Sequence, residues 1–348
     1  MIYINARFLS QSITGVQRYA IELSKRIKKL NGESITFLAP SNSIHHAIAK
    51  ELNIKIVGKN TGFLWEQFDL PLYLKREGNP FLINFVGIGP AFYKNKLLFI
   101  YDLAFKHHPE WFSYSFRYVY NILIPISLRN SRHAVTDSNY VKEDIIRNYK
   151  INSNKIDVVY AAPSSGFINK NLDKEKFILM VSSIDPRKNM IRTIKAFNSV
   201  DSDYKLIIVG KKNNSFSKIN LEDELLNDKI TFTGYVDDKE LINLYNKAGM
   251  FIYPSLLEGF GIPPLEAQTC GCPCIVSNTT SLPEVYLDSV EYCEPYSVES
   301  IRKSITLLIN NKERRHELVE KGFQNVDRFS WDKSAEEFQK ILEKVKGV

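Results

Sequence analysis

Short apolar runs alternate with stretches of helical spacing along the whole chain. Runs at 1–5, 34–38, 54–57, 81–86, 97–101, 132–137 and 155–160 predict strands. Between them, 16–30, 43–52, 64–75, 112–130 and 139–149 predict helices; in the first, Val16, Tyr19, Ala20, Leu23 and Ile27 share one face. The strands are apolar throughout rather than alternating, as expected for a parallel sheet covered on both sides. Repeated strand–helix units define an α/β class.

A polar, charged stretch at 167–175 interrupts this rhythm, and a second series begins. Strands are expected at 177–181, 205–209, 230–233, 250–253 and 274–277, with helices at 190–199, 238–247, 297–310 and 312–325. A last helix, near 332–346, carries the stripe Ala335, Phe338, Ile341, Leu342 and Val345. The chain has 348 residues, which suits two domains better than one. We place the first at 1–170, the second at 171–330 and the terminal helix at 331–348.

The densest chemistry lies in 249–278. There the run 250–253 stops at Pro254-Ser255, and the loop that follows holds Glu258 and Gly259-Phe260-Gly261. Pro263 and Pro264 suit the first turn of a helix, where a missing N–H costs nothing. Glu266 follows in that turn, and Gly271 with Pro273 closes the helix before 274–277. Such a loop offers backbone N–H groups at a helix N-terminus between two strands, an anion site suited to a diphosphate. Two carboxylates beside a phosphate make sense as acceptors for sugar hydroxyls, with ribose on one side and a hexose on the other.

Three further loops sit at strand ends, where open α/β sheets place ligands. The first strand leads through Arg7 to Thr14-Gly15-Val16; Gly15 is readable as a helix-start glycine or as a point of close ligand approach. Tyr101-Asp102 follows the strand 97–101. Strand 177–181 runs into Ser182-Ser183-Ile184-Asp185-Pro186-Arg187-Lys188-Asn189, a turn with two cations. The adjacent His107 and His108 point apart on most backbones and read as loop or packing residues. The helix from Trp111 through Tyr120 is rich in aromatics. It reads as core packing on one face or, with Arg117, Arg129 and Arg132 beside it, as a membrane-interface element.

The formal net charge of +7 is unevenly spread: residues 1–170 hold 22 Lys and Arg against 12 Asp and Glu, and the remainder 24 against 27. A basic first half points to nucleic acid, to an anionic membrane surface, or to a merely solvated face. No zinc, RNP or basic-helix pattern of a nucleic-acid module is present, so no nucleic-acid partner is expected. Cys270, Cys272 and Cys274 are spaced too tightly for a usual zinc site, and with Cys293 they read as buried thiols. No run approaches the length of a membrane span and the N-terminus has no signal-peptide pattern, so a cytoplasmic address is expected.

The phrase Pro254-Ser255-Leu256-Leu257-Glu258-Gly259-Phe260-Gly261-Ile262-Pro263-Pro264-Leu265-Glu266-Ala267 resembles the E-x7-E signature of retaining nucleotide-sugar glycosyltransferases of family 4. That resemblance implies the GT-B architecture: two Rossmann-like domains with parallel sheets facing a cleft, and a C-terminal helix crossing back. It covers nearly the whole chain, most strongly 177–284. It implies an acceptor-binding first domain and a second domain that grips the nucleotide sugar. Lys188 and Arg187 would stabilise the departing diphosphate, with Ser183 and the Gly259, Phe260 and Gly261 amides beside it. Glu266 would hold the ribose, Val236 would border the base, and Glu258 would meet the transferred sugar. Gly15 would let the backbone approach the diphosphate. Ser182 stands where the family usually has glycine, and Tyr101 where it often has histidine before Asp102. Either Tyr101 supplies that hydrogen bond or the contact is absent. No cofactor and no metal are expected. By analogy with bacterial members, the donor is expected to be GDP-mannose, with uridine donors as the open alternative. The acceptor would be a lipid-linked saccharide at a membrane surface, as in O-antigen, capsule or exopolysaccharide assembly. The rival readings are a sugar-nucleotide epimerase, a phosphorylase, a non-catalytic nucleotide-sugar-binding subunit and a nucleic-acid binder.

Overall fold

The computed structural model describes residues 1–164, 166–182, 185–210 and 227–346. The chain divides into two compact units, 1–161 with 331–348, and 162–330.

The first unit is built on a seven-stranded sheet. Its strands are β1 (Ile2–Asn5), β2 (Ile35–Ala39), β3 (Lys55–Ile56), β4 (Phe81–Asn84), β5 (Lys96–Phe99), β6 (His133–Thr136) and β7 (Ile156–Val158), in the order β3-β2-β1-β4-β5-β6-β7. Every pairing is parallel, with Ile4, for instance, between Phe37 and Ile83. Parallel neighbours need crossover helices, and these cover both faces. Burial follows: β1, β4, β5 and β6 are fully buried, whereas the two-residue edge strand β3 is exposed. The helix Trp331–Lys346 belongs to this unit. Its Phe338 ring lies 5.7 Å from Phe85 and 5.3 Å from Phe99, and Trp331 meets Tyr19 edge-on at 5.2 Å. Arg26 Nε pairs with Asp332 at 2.7 Å, which fastens the same helix to Gly15–Asn31.

The second unit has six strands, β8 (Glu175–Val181), β9 (Lys205–Val209), β10 (Ile230–Gly234), β11 (Ala248–Tyr253), β12 (Cys274–Ser277) and β13 (Glu291–Cys293), in the order β10-β9-β8-β11-β12-β13. All pairings are again parallel. Ile178, Met180, Leu206, Ile208, Met250 and Ile252 join Ile194, Phe197, Ile305 and Leu308 in one core. The edge strand β10 is largely exposed, because only one neighbour covers it. Strand β13 was not foreseen: three residues that begin with a glutamate carry too little periodicity to register.

In both sheets the order reverses once, at β1/β4 in the first and β8/β11 in the second. The crevice beyond the carboxyl ends of such a pair is where an open α/β sheet binds its ligands.

Candidate active site

At the second reversal, the loops after β8 and β11 are stitched together by the chain itself. The Asp185 side chain accepts from the Arg187 amide at 2.9 Å and shapes the short 3-10 turn Pro186–Lys188. Asn189 ends that turn in the left-handed region, at φ 61°. Its side-chain amide donates to the Pro254 carbonyl at 3.0 Å and the Pro295 carbonyl at 2.6 Å. The Leu256 amide donates to the Arg187 carbonyl at 2.8 Å. The outcome is a fixed meeting of two side chains 70 positions apart: Lys188 Nζ lies 2.5 Å from Glu258 Oε1.

Both partners are buried. Lys188 Nζ also donates to the Tyr253 hydroxyl at 2.6 Å and sits 4.7 Å from the centre of that ring. Burial presses the Lys188 ammonium below its ordinary value, against the pull of Glu258. Burial alone would raise the Glu258 carboxyl, but the charges of Lys188 and Arg187 together hold it below the usual glutamate range. A lysine–glutamate pair removed from water is a poor source of stability, since desolvation offsets its attraction. Its place at the reversal therefore points to chemistry.

Gly259, Phe260 and Gly261 follow Glu258 and lead into the helix Ile262–Thr269, with Gly261 as its N-cap at φ 88°. A side chain at Gly261 would be strained by that backbone and would meet Leu282 Cδ2 at 2.7 Å. Phe260 is buried edge-on against Phe329 at 5.5 Å, and the Tyr286 hydroxyl donates to the Gly261 carbonyl. The Glu258 backbone is held from both sides: its amide donates to Thr280 Oγ1 at 3.2 Å and its carbonyl accepts from Ser281 Oγ at 3.0 Å. Glu266 is buried in the helix, where its charge is felt by Tyr245 and Cys270. Val236 follows the edge strand β10, half-buried. Ser183 lies outside the described residues.

The first unit holds Gly15, Tyr101 and Asp102. Gly15 opens the helix Gly15–Asn31 behind a Thr14/Gln17 capping box, and a Cβ added there would meet nothing within 4 Å. Its backbone is not left-handed either, so neither sterics nor φ demands glycine at that position. Tyr101 follows β5, packed edge-on against Tyr19 at 5.2 Å, and its buried hydroxyl has no hydrogen-bond partner among the described residues. Asp102 Oδ1 accepts from the Ala104 amide at 2.9 Å, which gives it a local task at the start of the short helix Ala104–His107. His107 pairs with Asp144 at 2.7 Å, and His108 stacks on Trp111 at 3.9 Å.

Two features escaped sequence reasoning. One is Tyr253, hidden in an apolar run. The other is a buried network at the β1/β4 reversal: Asn5 donates to Glu66 Oε1 at 2.9 Å and Asn84 Oδ1 at 2.6 Å, while Arg7 Nε meets Glu66 Oε1 at 3.0 Å. Burial raises the Glu66 carboxyl, and Arg7 only partly opposes this. The signal was present. Both β1 and β4 are apolar runs that end in Ile-Asn, an amide at the ligand-facing end of each strand.

All four cysteines are buried, and burial raises the Cys270, Cys272 and Cys293 thiols to about 12. Among the described residues, no group of three or more His, Cys, Asp or Glu is placed to hold a metal ion.

Comparison with known proteins agrees with this architecture. Residues 165–325 match the family model "Glycosyl transferases group 1". The O-antigen chain mannosyltransferase RfbU of Salmonella typhimurium is 28% identical over 344 residues, covering 94% of this chain and 96% of its own. The O-antigen chain mannosyltransferase B of Escherichia coli is 26% identical, covering 92% and 93%. Among solved structures, a glycosyltransferase from Rickettsia africae superposes with a TM-score of 0.75 at 20% identity, covering 99% of this chain and 97% of its own. WaaG, a glycosyltransferase involved in lipopolysaccharide biosynthesis, superposes at 0.73 with 14% identity and complete coverage of both chains. These likenesses in structure establish the fold, GT-B. Residues 165–325 thus carry a glycosyl transferases group 1 domain, within a chain whose two parallel sheets have the GT-B fold.

Proposed function

We propose that this enzyme transfers a hexose from a nucleotide sugar to a saccharide acceptor with retention of anomeric configuration. The donor in this reading is GDP-mannose, and the acceptor is a lipid-linked saccharide of surface-polysaccharide assembly. The observation that carries it is the buried Lys188–Glu258 contact at the β8/β11 reversal. The two long relatives named above, both O-antigen chain mannosyltransferases, support the choice of sugar.

In this reading Lys188 and Arg187, with Ser183 and the amides of Gly259, Phe260 and Gly261, stabilise the charge that develops on the departing diphosphate. Glu266 accepts from the ribose hydroxyls and Val236 borders the base. Glu258 stabilises the positive charge that grows on the sugar ring. Gly15 gives the diphosphate room, and Tyr101 and Asp102 contact the transferred sugar. The bond from the anomeric carbon to the diphosphate oxygen breaks, and the acceptor oxygen attacks the same face. The acceptor proton passes to the leaving diphosphate. The test is the product itself. After incubation with GDP-mannose and a membrane lipid extract, the one-bond carbon–proton coupling at the new anomeric centre should report an α linkage. A β linkage would contradict retention.

Two outward stripes on the first unit favour a lipid surface as the place of work. On the helical stretch 62–76, Leu64, Phe68 and Leu72 are exposed at four-residue spacing, opposite the buried Trp65, Leu70 and Leu74. On Tyr114–Asn130, Tyr114, Tyr118 and Ile122 repeat the spacing, whereas Phe112, Phe116 and Tyr120 pack inward. The inward aromatics serve the packing alternative, and the outward ones carry the membrane-interface alternative into this proposal. Gln67 from the first stretch and Ser127 from the second both hold the loop 88–91, and Phe92 beside it is 73% exposed. Lys59, Lys75, Arg76 and Lys94 are exposed on the same segments, a charge suited to anionic headgroups. Among the described residues, no helix is long and apolar enough to cross a membrane. Vesicles containing phosphatidylglycerol should sediment the protein and phosphatidylcholine vesicles should not. Phe68→Ser with Tyr118→Ser should release it by at least tenfold, since two buried aromatics contribute several times RT.

A further inference from the structure

Tyr253 is the last residue of β11 and is 2% exposed. As the end of an apolar run it would be expected to fill the core, and its ring does stack on Phe251 at 6.0 Å. Its hydroxyl does something else. It accepts from Lys188 Nζ at 2.6 Å, and the same ammonium meets Glu258 Oε1 at 2.5 Å. A buried phenol needs a partner. This one has Lys188, the cation to which the chemistry has been attributed, and Lys188 in turn holds the Glu258 carboxylate.

An ammonium carries three N–H groups in tetrahedral array. Glu258 fixes one of them at 2.5 Å and the Tyr253 oxygen fixes a second at 2.6 Å. Once two directions are fixed, the third is fixed as well. With Glu258 as the sole anchor, the Lys188 chain could swing about that contact and carry the remaining N–H groups with it. The gain from a donor aimed at developing charge depends on its being aimed beforehand.

We propose that Tyr253 is a positioning residue of the transfer reaction, holding Lys188 between its hydroxyl and Glu258 so that one ammonium N–H is directed at the donor's diphosphate. This rests on the transferase reading given above. Tyr253 does not touch the reacting atoms; it acts through Lys188 and Glu258.

Tyr253→Phe isolates the oxygen, because the ring keeps its packing and its place 4.7 Å from Lys188 Nζ. The expected result is a fall in kcat of roughly 10- to 100-fold, the worth of a hydrogen bond to a charged group, with donor KM changing by less than about threefold. The pH profile should narrow from the alkaline side. Loss of the acceptor oxygen disfavours the Lys188 ammonium and moves the alkaline limb to lower pH. The other charged or titratable groups that act on this pair are Arg187 and Asp185 from the loop after β8, and Tyr286, and all stay in place. A purely structural tyrosine would scale the whole profile without moving its alkaline limb, and that result, or an unchanged kcat, would overturn the proposal. A second measurement needs no turnover: competitive acetylation of Lys188 across pH, read by mass spectrometry. Lys188 should titrate at lower pH in Tyr253→Phe than in the parent chain, and equal titration would overturn the proposal. A parent chain that binds no nucleotide sugar by calorimetry would instead contradict the transferase reading, while the labelling would still decide what holds Lys188.

Discussion

Lys188→Met is expected to cost the second unit about 3–5 kcal/mol and to lower activity by roughly 100- to 1,000-fold. The two losses have different origins. Stability falls because Glu258, buried and 2.5 Å from the missing ammonium, is left as an uncompensated charge. Activity falls because the diphosphate loses the cation that meets its growing charge. Adding Glu258→Gln should separate them. The double variant buries two neutral groups and should recover most of the stability while remaining inactive. Thermal unfolding and nucleotide release, measured on both single variants and the double variant, complete the cycle. Recovery of activity in the double variant would mean that the pair serves the fold alone. The acid side of the profile follows from the same contact. The Glu258 carboxyl is held below its ordinary value in the folded chain, so its ionised form contributes stability above the ordinary glutamate range. That contribution is lost as the pH falls through the depressed value.

Gly15→Ala is expected to lower activity by roughly 100-fold while leaving stability unchanged or raised by up to about 1 kcal/mol. The opposition of signs is the point. A Cβ at Gly15 meets no atom within 4 Å, and the backbone there is one that alanine adopts freely. Alanine at the start of Gly15–Asn31 also restricts the unfolded chain. On grounds of folding alone, glycine is the poorer residue. If it makes room for the donor's diphosphate, one methyl group displaces the reacting centre. Chemical denaturation and steady-state rates on the same preparation decide it: full activity in Gly15→Ala would return this glycine to an ordinary helix start.

Much of the framework could be read from the chain because its strands are buried on both faces and its turns are marked by glycine and proline. β9 and β12 match their expected bounds, and the helix Ile262–Thr269 opens with Pro263 and Pro264 in its first turn as expected. Residues that depend on distant partners were not legible. Tyr253 reads as core until Lys188 arrives from 65 positions earlier to meet its hydroxyl. Glu66 reads as one more surface carboxylate on an amphipathic helix, yet it lies beneath Asn5 and Arg7. Tyr114 and Tyr118 share a helix with Phe116 and Tyr120, and a segment apolar on both sides does not reveal which side turns outward. Lys188 and Glu258 were legible only through the phrases around them. Spacing in sequence carries no distance between the two loops that Asn189 and Arg187 tie together.

The most direct measurement is nucleotide release from GDP-, UDP-, ADP- and dTDP-sugars by the parent chain, with and without membrane lipid extract, beside Lys188→Met/Glu258→Gln. Sugar transfer at the Lys188–Glu258 site predicts release from GDP-mannose, raised by the extract and absent in the double variant. Release that persists in the double variant, or binding of none of the four donors, would contradict it.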